Sequence, residues 1–501
     1  MAAAASRGGS VLRSDRLNRG SRVKARRATV VGAGPNGLAG AAVLARAGLE
    51  VTVLEAHHSI GGGTRTADLT LPGFRHDVCS AVHPGARDSP VFTALGLRDS
   101  VEWIVPEISY AHPLADGRAG IAWRDLERTV AGLGADGDAW RRLFGPLARR
   151  IEGVSDFTGN QMLRVPRDPL AAVHFGLRTL ALGTALSRAV LRTEEAGALI
   201  TGVLAHGNAR LPSLASAAVG LLLATQAHAN GWPLPRGGAQ SIADALAQDI
   251  VTHGGRIVTG RRIDDLSTLD PADIVLLDTP PLLATTHPDA PSGWSRAIRR
   301  YRYGPAAAKV DFALSGPVPW TNPEVARSPT VHVGGARSAI EAAENAVARG
   351  HVSEDPYVLV TQPSVVDSSR APVGAQTLWA YLHVPNGTAI DATETITRQI
   401  ERFAPGFRDV VLASHASTAR DLAEYNPSAV GGDFLSGAIT LRQLIGRPVV
   451  SPTPWRTPMK GVYLASAATP PGPGVNGMAG WYAARLALRD VSGERIELAD
   501  L

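Results

Sequence analysis

From Ala28 the chain alternates apolar blocks with polar punctuation, and the period of each block predicts an element. Ala28–Val31 reads as a buried strand, the Ala- and Leu-rich run after Pro35 as a helix, and Glu50–Leu54 as a second strand, together a βαβ unit. From about Tyr110 to Gly231 the pattern is mainly helical, with polar breaks at Arg164–Pro169 and Asn208–Pro212. A second α/β stretch follows, with helix Gln240–His253 and strands Arg256–Thr259 and Ile274–Leu277, the last closed by Thr279-Pro280-Pro281. From Ala308 the period shortens to two. Val310–Leu314, Thr330–Val333, Tyr357–Thr361 and Thr377–Val384 predict an antiparallel sheet with helix Ala392–Phe403 across it, and residues 456–490 return to a strand and a helix.

No internal repeat or low-complexity linker divides these blocks, so the lobes are expected to interleave in sequence. The chain has 501 residues, of which 45% are apolar and 19% charged, enough to bury a large cofactor in a globular α/β enzyme. Its formal charge of +5 is uneven. Residues 1–27 carry eight Arg and Lys against Asp15 alone, which leaves the remainder slightly acidic and removes the case for a nucleic-acid-binding face. That arm reads as a disordered tail, a transit peptide or an overextended start. One cysteine, Cys79, excludes an internal disulfide, a CxxC pair and a Cys-based zinc cluster; no metal site is expected, and a reducing, cytoplasmic setting fits. The longest uncharged stretch, Leu211–Pro235, contains three prolines, and its centre Ala217–Ala224 reads as a buried helix in preference to a membrane-dipping surface.

Gly32-Ala33-Gly34-Pro35-Asn36-Gly37 has the G-x-G-x-x-G spacing between strand and helix. The first glycine permits the turn, the second lets backbone approach a diphosphate, and the third lets helix pack on strand, with the helix N-terminus facing the anion. Glu55 ends the second strand, 23 residues after Gly32, where a carboxylate can accept hydrogen bonds from a ribose.

Val53-Leu54-Glu55 followed by Gly61-Gly62 resembles the flavin amine oxidase and phytoene desaturase superfamily. Trp232–Ile263 is similar to that superfamily's second FAD segment, and Asp367–Pro372 with Thr377–Pro385 resembles the phytoene desaturase-related branch of pyridine nucleotide-disulphide oxidoreductase domain-containing protein 2. Gly461–Gly480 looks like the flavin-ring segment. The resemblance implies an α/β fold in which a Rossmann-type FAD-binding domain (28–109, 232–290 and 456–501) interleaves with an α+β substrate domain (110–231 and 291–455) of antiparallel sheet plus helical lobe. It implies noncovalent FAD held by Gly32, Gly34, Pro35, Asn36, Gly37, Glu55, Ala56, Gly61, Gly62, Arg65, Ile263, Thr279, Ala468, Gly474, Val475 and Asn476. The superfamily often has arginine directly after its glycine pair; here that position is Gly63, and Arg65 stands two residues later.

Catalytic candidates are Lys309, which resembles a lysine placed near flavin N5 through a water, and His83 as a proton acceptor. Asp367 and Arg370 are expected to pair locally. Tyrosine is absent from 426–462 and Val475 stands where amine oxidases present an aromatic wall, which favours a lipophilic polyisoprenoid or carotenoid-like substrate, dehydrogenated by hydride transfer to flavin. The electron acceptor is left open among oxygen, a quinone and a protein, and a peripheral membrane contact through the helical lobe is allowed. The alternatives are an amine or amino acid oxidase, a flavin-assisted isomerase, and a flavin-binding regulatory protein with little turnover.

Overall fold

The computed structural model describes residues 26–501, so the basic arm, but for its last two residues, lies outside the described residues. Arg27 already belongs to the first strand. It pairs in register with Glu50, and its N–H donates to Asp273 Oδ2 at 2.9 Å.

The short apolar strands build one parallel sheet in the order Val462–Leu464, Ile274–Leu277, Arg27–Val31, Glu50–Leu54, Arg256–Val258. Both faces of such a sheet must be covered. Helices Pro35–Arg46, Gln240–Thr252 and Met478–Ser492 supply much of the core around it. The last of these crosses the first glycine to glycine: a Cβ on Gly480 would stand 1.9 Å from the Asn36 carbonyl oxygen and 2.8 Å from Gly40 N. Segments distant in sequence thus form one dinucleotide-binding body.

The second sheet has seven strands, in the order Val411–Ser417, Ala306–Leu314, Gln376–Val384, Val358–Thr361, Thr330–Val333, Ile108–Pro113, Ala119–Trp123. All its pairings are antiparallel except that between Thr330–Val333 and Ile108–Pro113. Three of these strands depart from the sequence-based expectation. Ile108–Pro113 and Ala119–Trp123 form a hairpin at the start of the stretch read as helical, and Val411–Ser417 had not been anticipated. The hairpin is buried on both faces, so its pattern is continuous rather than alternating and carries no period of two. Helices Gly137–Ala148, Pro169–Leu182, Glu194–Leu204 and Leu214–Ala229 then pack as a lobe with its own apolar core. Leu214–Ala229 is the buried helix expected from its sequence, with Ala217, Leu221 and Ala224 fully enclosed.

Candidate active site

A cavity of about 850 Å³ runs from the glycine turn to the second sheet and the helical lobe. At one end it is lined by Gly32, Gly34, Pro35, Asn36, Glu55, Ala56 and Gly62, joined by Ile263, Thr279, Gly474, Val475 and Asn476. Segments distant in the chain therefore converge on one surface. Gly32 has φ +99°, and a Cβ there would lie 2.4 Å from the Asp278 carbonyl oxygen. Gly37, Gly61, Arg65 and Ala468 stand behind this lining. Gly37 closes the helix against the turn, its would-be Cβ 2.2 Å from the Gly32 oxygen, and Gly61 N–H donates to the Ala33 carbonyl at 2.8 Å. In the C-terminal segment Ser466 and Ala467 face the cavity in place of Ala468, and the final helix begins at Met478, just beyond the expected Asn476.

Glu55 is held from three sides. Its Oε2 accepts from Ala33 N at 2.7 Å, while Oε1 accepts from His57 N at 2.9 Å and from the Arg65 guanidinium at 3.1 Å. Arg65 is itself buried and also donates to the Ser59 carbonyl, so it positions Glu55 and faces away from the cavity.

Asp278 is the acid that the sequence reading missed, although its neighbour Thr279 was named. It directly follows the strand Ile274–Leu277, and its Oδ2 accepts the Gly37 N–H at 2.8 Å. A Cβ on Gly34 would stand 2.6 Å from that same oxygen. Burial pushes its pKa up to about 7, reinforced by the nearby Glu55 charge and opposed by the backbone hydrogen bonds from Gly37 and Gly34. A carboxyl group thus lies on the helix N-terminus, beside the place a diphosphate would take.

The other end of the cavity is apolar and aromatic. Antiparallel pairing places Lys309 opposite Tyr381 and Asp311 opposite Trp379, so all four share one sheet face. Trp379 and Tyr381 line the cavity; Lys309 does not, because it lies one strand further out. Its Nζ is 2.5 Å from Asp311 Oδ2 and 5.5 Å from the Trp379 ring centre, and both ionic groups are buried. Burial raises the Asp311 pKa and lowers that of the adjacent His76 to about 3. His83 does line the cavity, with its Nε2 buried and unpartnered. Burial lowers its pKa to about 4, so it is neutral at physiological pH.

Trp232, Tyr303 and Phe434 complete an aromatic wall with Trp379 and Tyr381, while helix Leu214–Ala229 contributes Val219, Leu222 and Leu223. The aromatic deficit expected from residues 426–462 and Val475 is thereby corrected: Phe434 supplies a ring from within that stretch, and the other rings come from other segments. His206 also lines this end, and its Nε2 lies 2.8 Å from Nε2 of buried His332. Asp367 and Arg370 do not pair. Arg370 bonds to buried Asp77, and Asp367 accepts the Gly237 N–H at 2.7 Å. Each ties the glycine-pair turn at 237–238 or its neighbours to the second sheet. Among the described residues no cluster of His, Cys, Asp and Glu is arranged to hold a metal ion.

Comparison with known proteins agrees with this geometry. Residues 30–95 match the NAD(P)-binding Rossmann-like domain. The chain is 24% identical to pyridine nucleotide-disulfide oxidoreductase domain-containing protein 2 of Mus musculus, over 93% of each chain. It is 25% identical to the neurosporene-forming phytoene desaturase of Rhodobacter capsulatus, over 49% of this chain and 51% of that one. Cyclohexylamine oxidase from Brevibacterium oxydans shares the fold, with a TM-score of 0.56 at 16% identity over 94% of this chain and 98% of that one. By sequence and fold together, the chain resembles oxidoreductases of the flavin amine oxidase and phytoene desaturase type.

Proposed function

We propose that the cavity binds FAD noncovalently and dehydrogenates a lipophilic, polyisoprenoid-like substrate. The observation that carries this reading is one continuous cavity whose first end is a glycine cradle and whose second end is walled by aromatic and aliphatic side chains with no carboxylate among the lobe and sheet residues lining it. The cradle fits a dinucleotide, since Cβ atoms on Gly34 or Gly62 would fill the space against Asp278 and the turn. Gly32, Gly34 and Asn36 would lie along the diphosphate, Glu55 would take the ribose, and Gly474–Asn476 would flank the ring. When bound, FAD supplies the hydride acceptor. Burial raises the Cys79 thiol pKa, which keeps this cavity-lining sulfur protonated and unreactive toward a flavin ring.

The substrate end excludes water by apolar contact and orients a flat or extended molecule between rings. Neutral His83 and His206 are among the polar side chains there, with Gln226, Thr330 and Tyr381, that can hold a hydrogen bond, and His206 also contacts His332. With a pKa near 4, His83 is a weak base, so it suits hydrogen bonding better than abstraction of a strongly held proton. The phytoene desaturase named above supports a lipophilic substrate by analogy.

A second reading has its own observation. The Trp379, Tyr381 and Phe434 rings can face a cation, and the fold-sharing cyclohexylamine oxidase acts on an amine. Anaerobic flavin absorbance distinguishes the two. Bleaching by vesicle-borne isoprenoids and not by amines is the expected result, and bleaching by amines alone would transfer the protein to the second reading.

A further inference from the structure

Helix Pro169–Leu182 is apolar on two opposite sides. Ala171, Phe175 and Leu182 are buried in the lobe, where the helix packs on Leu214–Ala229. Leu170, Val173, Leu177 and Leu180 recur at spacings of three, four and three, which gathers them on one face. They are 56, 55, 59 and 49% exposed. Leu163 and Val165 before the helix and Leu186 after it are exposed as well, so the patch extends past both ends. A helix apolar on two opposite sides needs a core on one and a second apolar phase on the other. Here one face has its core and the other faces outward.

Charge selects the occupant. Residues 160–192 contain Arg164, Arg167, Arg178, Arg188 and Arg192 against Asp168 alone; Asp156 pairs with Arg164 and Arg167, and Glu341 with Arg188, which among the described residues leaves Arg178 and Arg192 without an acidic partner. Asp168 is already engaged, capping the helix through Ala171 N at 3.0 Å and pairing with Arg150 at 2.7 Å. A second copy of the chain would bring the same positive charge against itself, whereas an anionic lipid surface neutralises it. Position argues the same way. The helix behind this face, Leu214–Ala229, turns Val219, Leu222 and Leu223 into the cavity, so a single helix separates the patch from the apolar chamber.

We propose that Met162–Leu186 docks the protein on an anionic lipid bilayer, with helix Pro169–Leu182 lying in the headgroup plane. Hydropathy along the chain points instead to Leu214–Ala229, which the fold buries. The docking face goes beyond the cofactor and substrate reading and is measured without turnover, so the two fail separately.

The test is flotation of the full chain with phosphatidylcholine vesicles, with and without phosphatidylglycerol. Binding to the anionic vesicles, weakened by high salt, is expected, together with a loss of at least about 10-fold in affinity for the double variant Val173→Glu/Leu177→Glu. Both positions are exposed, and circular dichroism and flavin content, measured in parallel, should match the parent. Equal partitioning of parent and variant, or no binding by the parent, overturns the proposal. So does a parent that is dimeric by size-exclusion light scattering and becomes monomeric in the variant, since the face would then join two copies. Flavin lost from the parent with docking intact would instead count against the cofactor reading alone.

Discussion

At the residue scale, the decisive contact is that between the glycine turn and Asp278. Gly34 has ordinary backbone angles, so its value lies in the missing Cβ, which would meet Asp278 Oδ2 at 2.6 Å and, on the proposed reading, stand in the path of the diphosphate. Gly34→Val is expected to purify folded yet free of flavin, as read by the protein-to-flavin absorbance ratio after dialysis. Asp278 makes a second expectation. Its folded pKa of about 7 lies above the ordinary carboxylate value, so the group favours its protonated form and contributes stability that is lost as pH rises through 7. A diphosphate beside it would raise that pKa further, so FAD binding should take up a proton. Affinity should fall by up to about tenfold per pH unit above pH 7. Titration calorimetry in buffers of different ionisation enthalpy measures the uptake, and Asp278→Asn should flatten the pH dependence; a parent whose affinity is flat from pH 6 to 9 would refute the coupling.

At the scale of the element, strand Ala306–Leu314 shows why its lysine is structural before it is chemical. Lys309 and Asp311 are two residues apart on one face and fully enclosed, so each neutralises the other. Lys309→Met leaves Asp311 buried without its partner, which should cost about 3 kcal/mol in urea unfolding. The double variant Lys309→Met/Asp311→Leu should recover much of that loss, because it removes the stranded charge with the lysine. Absence of recovery would show that the lysine acts through something other than this pair. The hydride-transfer rate of the double variant then reports whether Lys309 also reaches the reacting atoms.

At the scale of the whole molecule, the dinucleotide body is assembled from the beginning, middle and end of the chain. Strand Val462–Leu464 joins the sheet by pairing with Ile274–Leu277, and the final helix rests on the first through Gly40 and Gly480. Removing residues 456–501 should therefore abolish flavin retention and the cooperative thermal transition together, although the glycine turn itself would be intact. A truncated chain that melts cooperatively with bound flavin would contradict this dependence. No helix among the described residues is long and apolar enough to cross a membrane.

The local pattern was sufficient for whatever depends on neighbours in sequence. The strand, turn and helix at Ala28–Arg46, the acid Glu55, the buried nature of Ala217–Ala224 and the antiparallel character of the second sheet were all legible, because sterics and period act over a few residues. The tertiary structure decided what depends on contacts between distant segments. It set Asp278 under the turn, 241 positions from Gly37, and turned Arg65 onto Glu55. It gathered Trp232, Trp379, Tyr381 and Phe434 into one wall and set Lys309 a strand behind it. It also buried the more apolar helix and left the less conspicuous one outside. Sequence period reports that a face is apolar; only packing determines whether another part of the chain covers it.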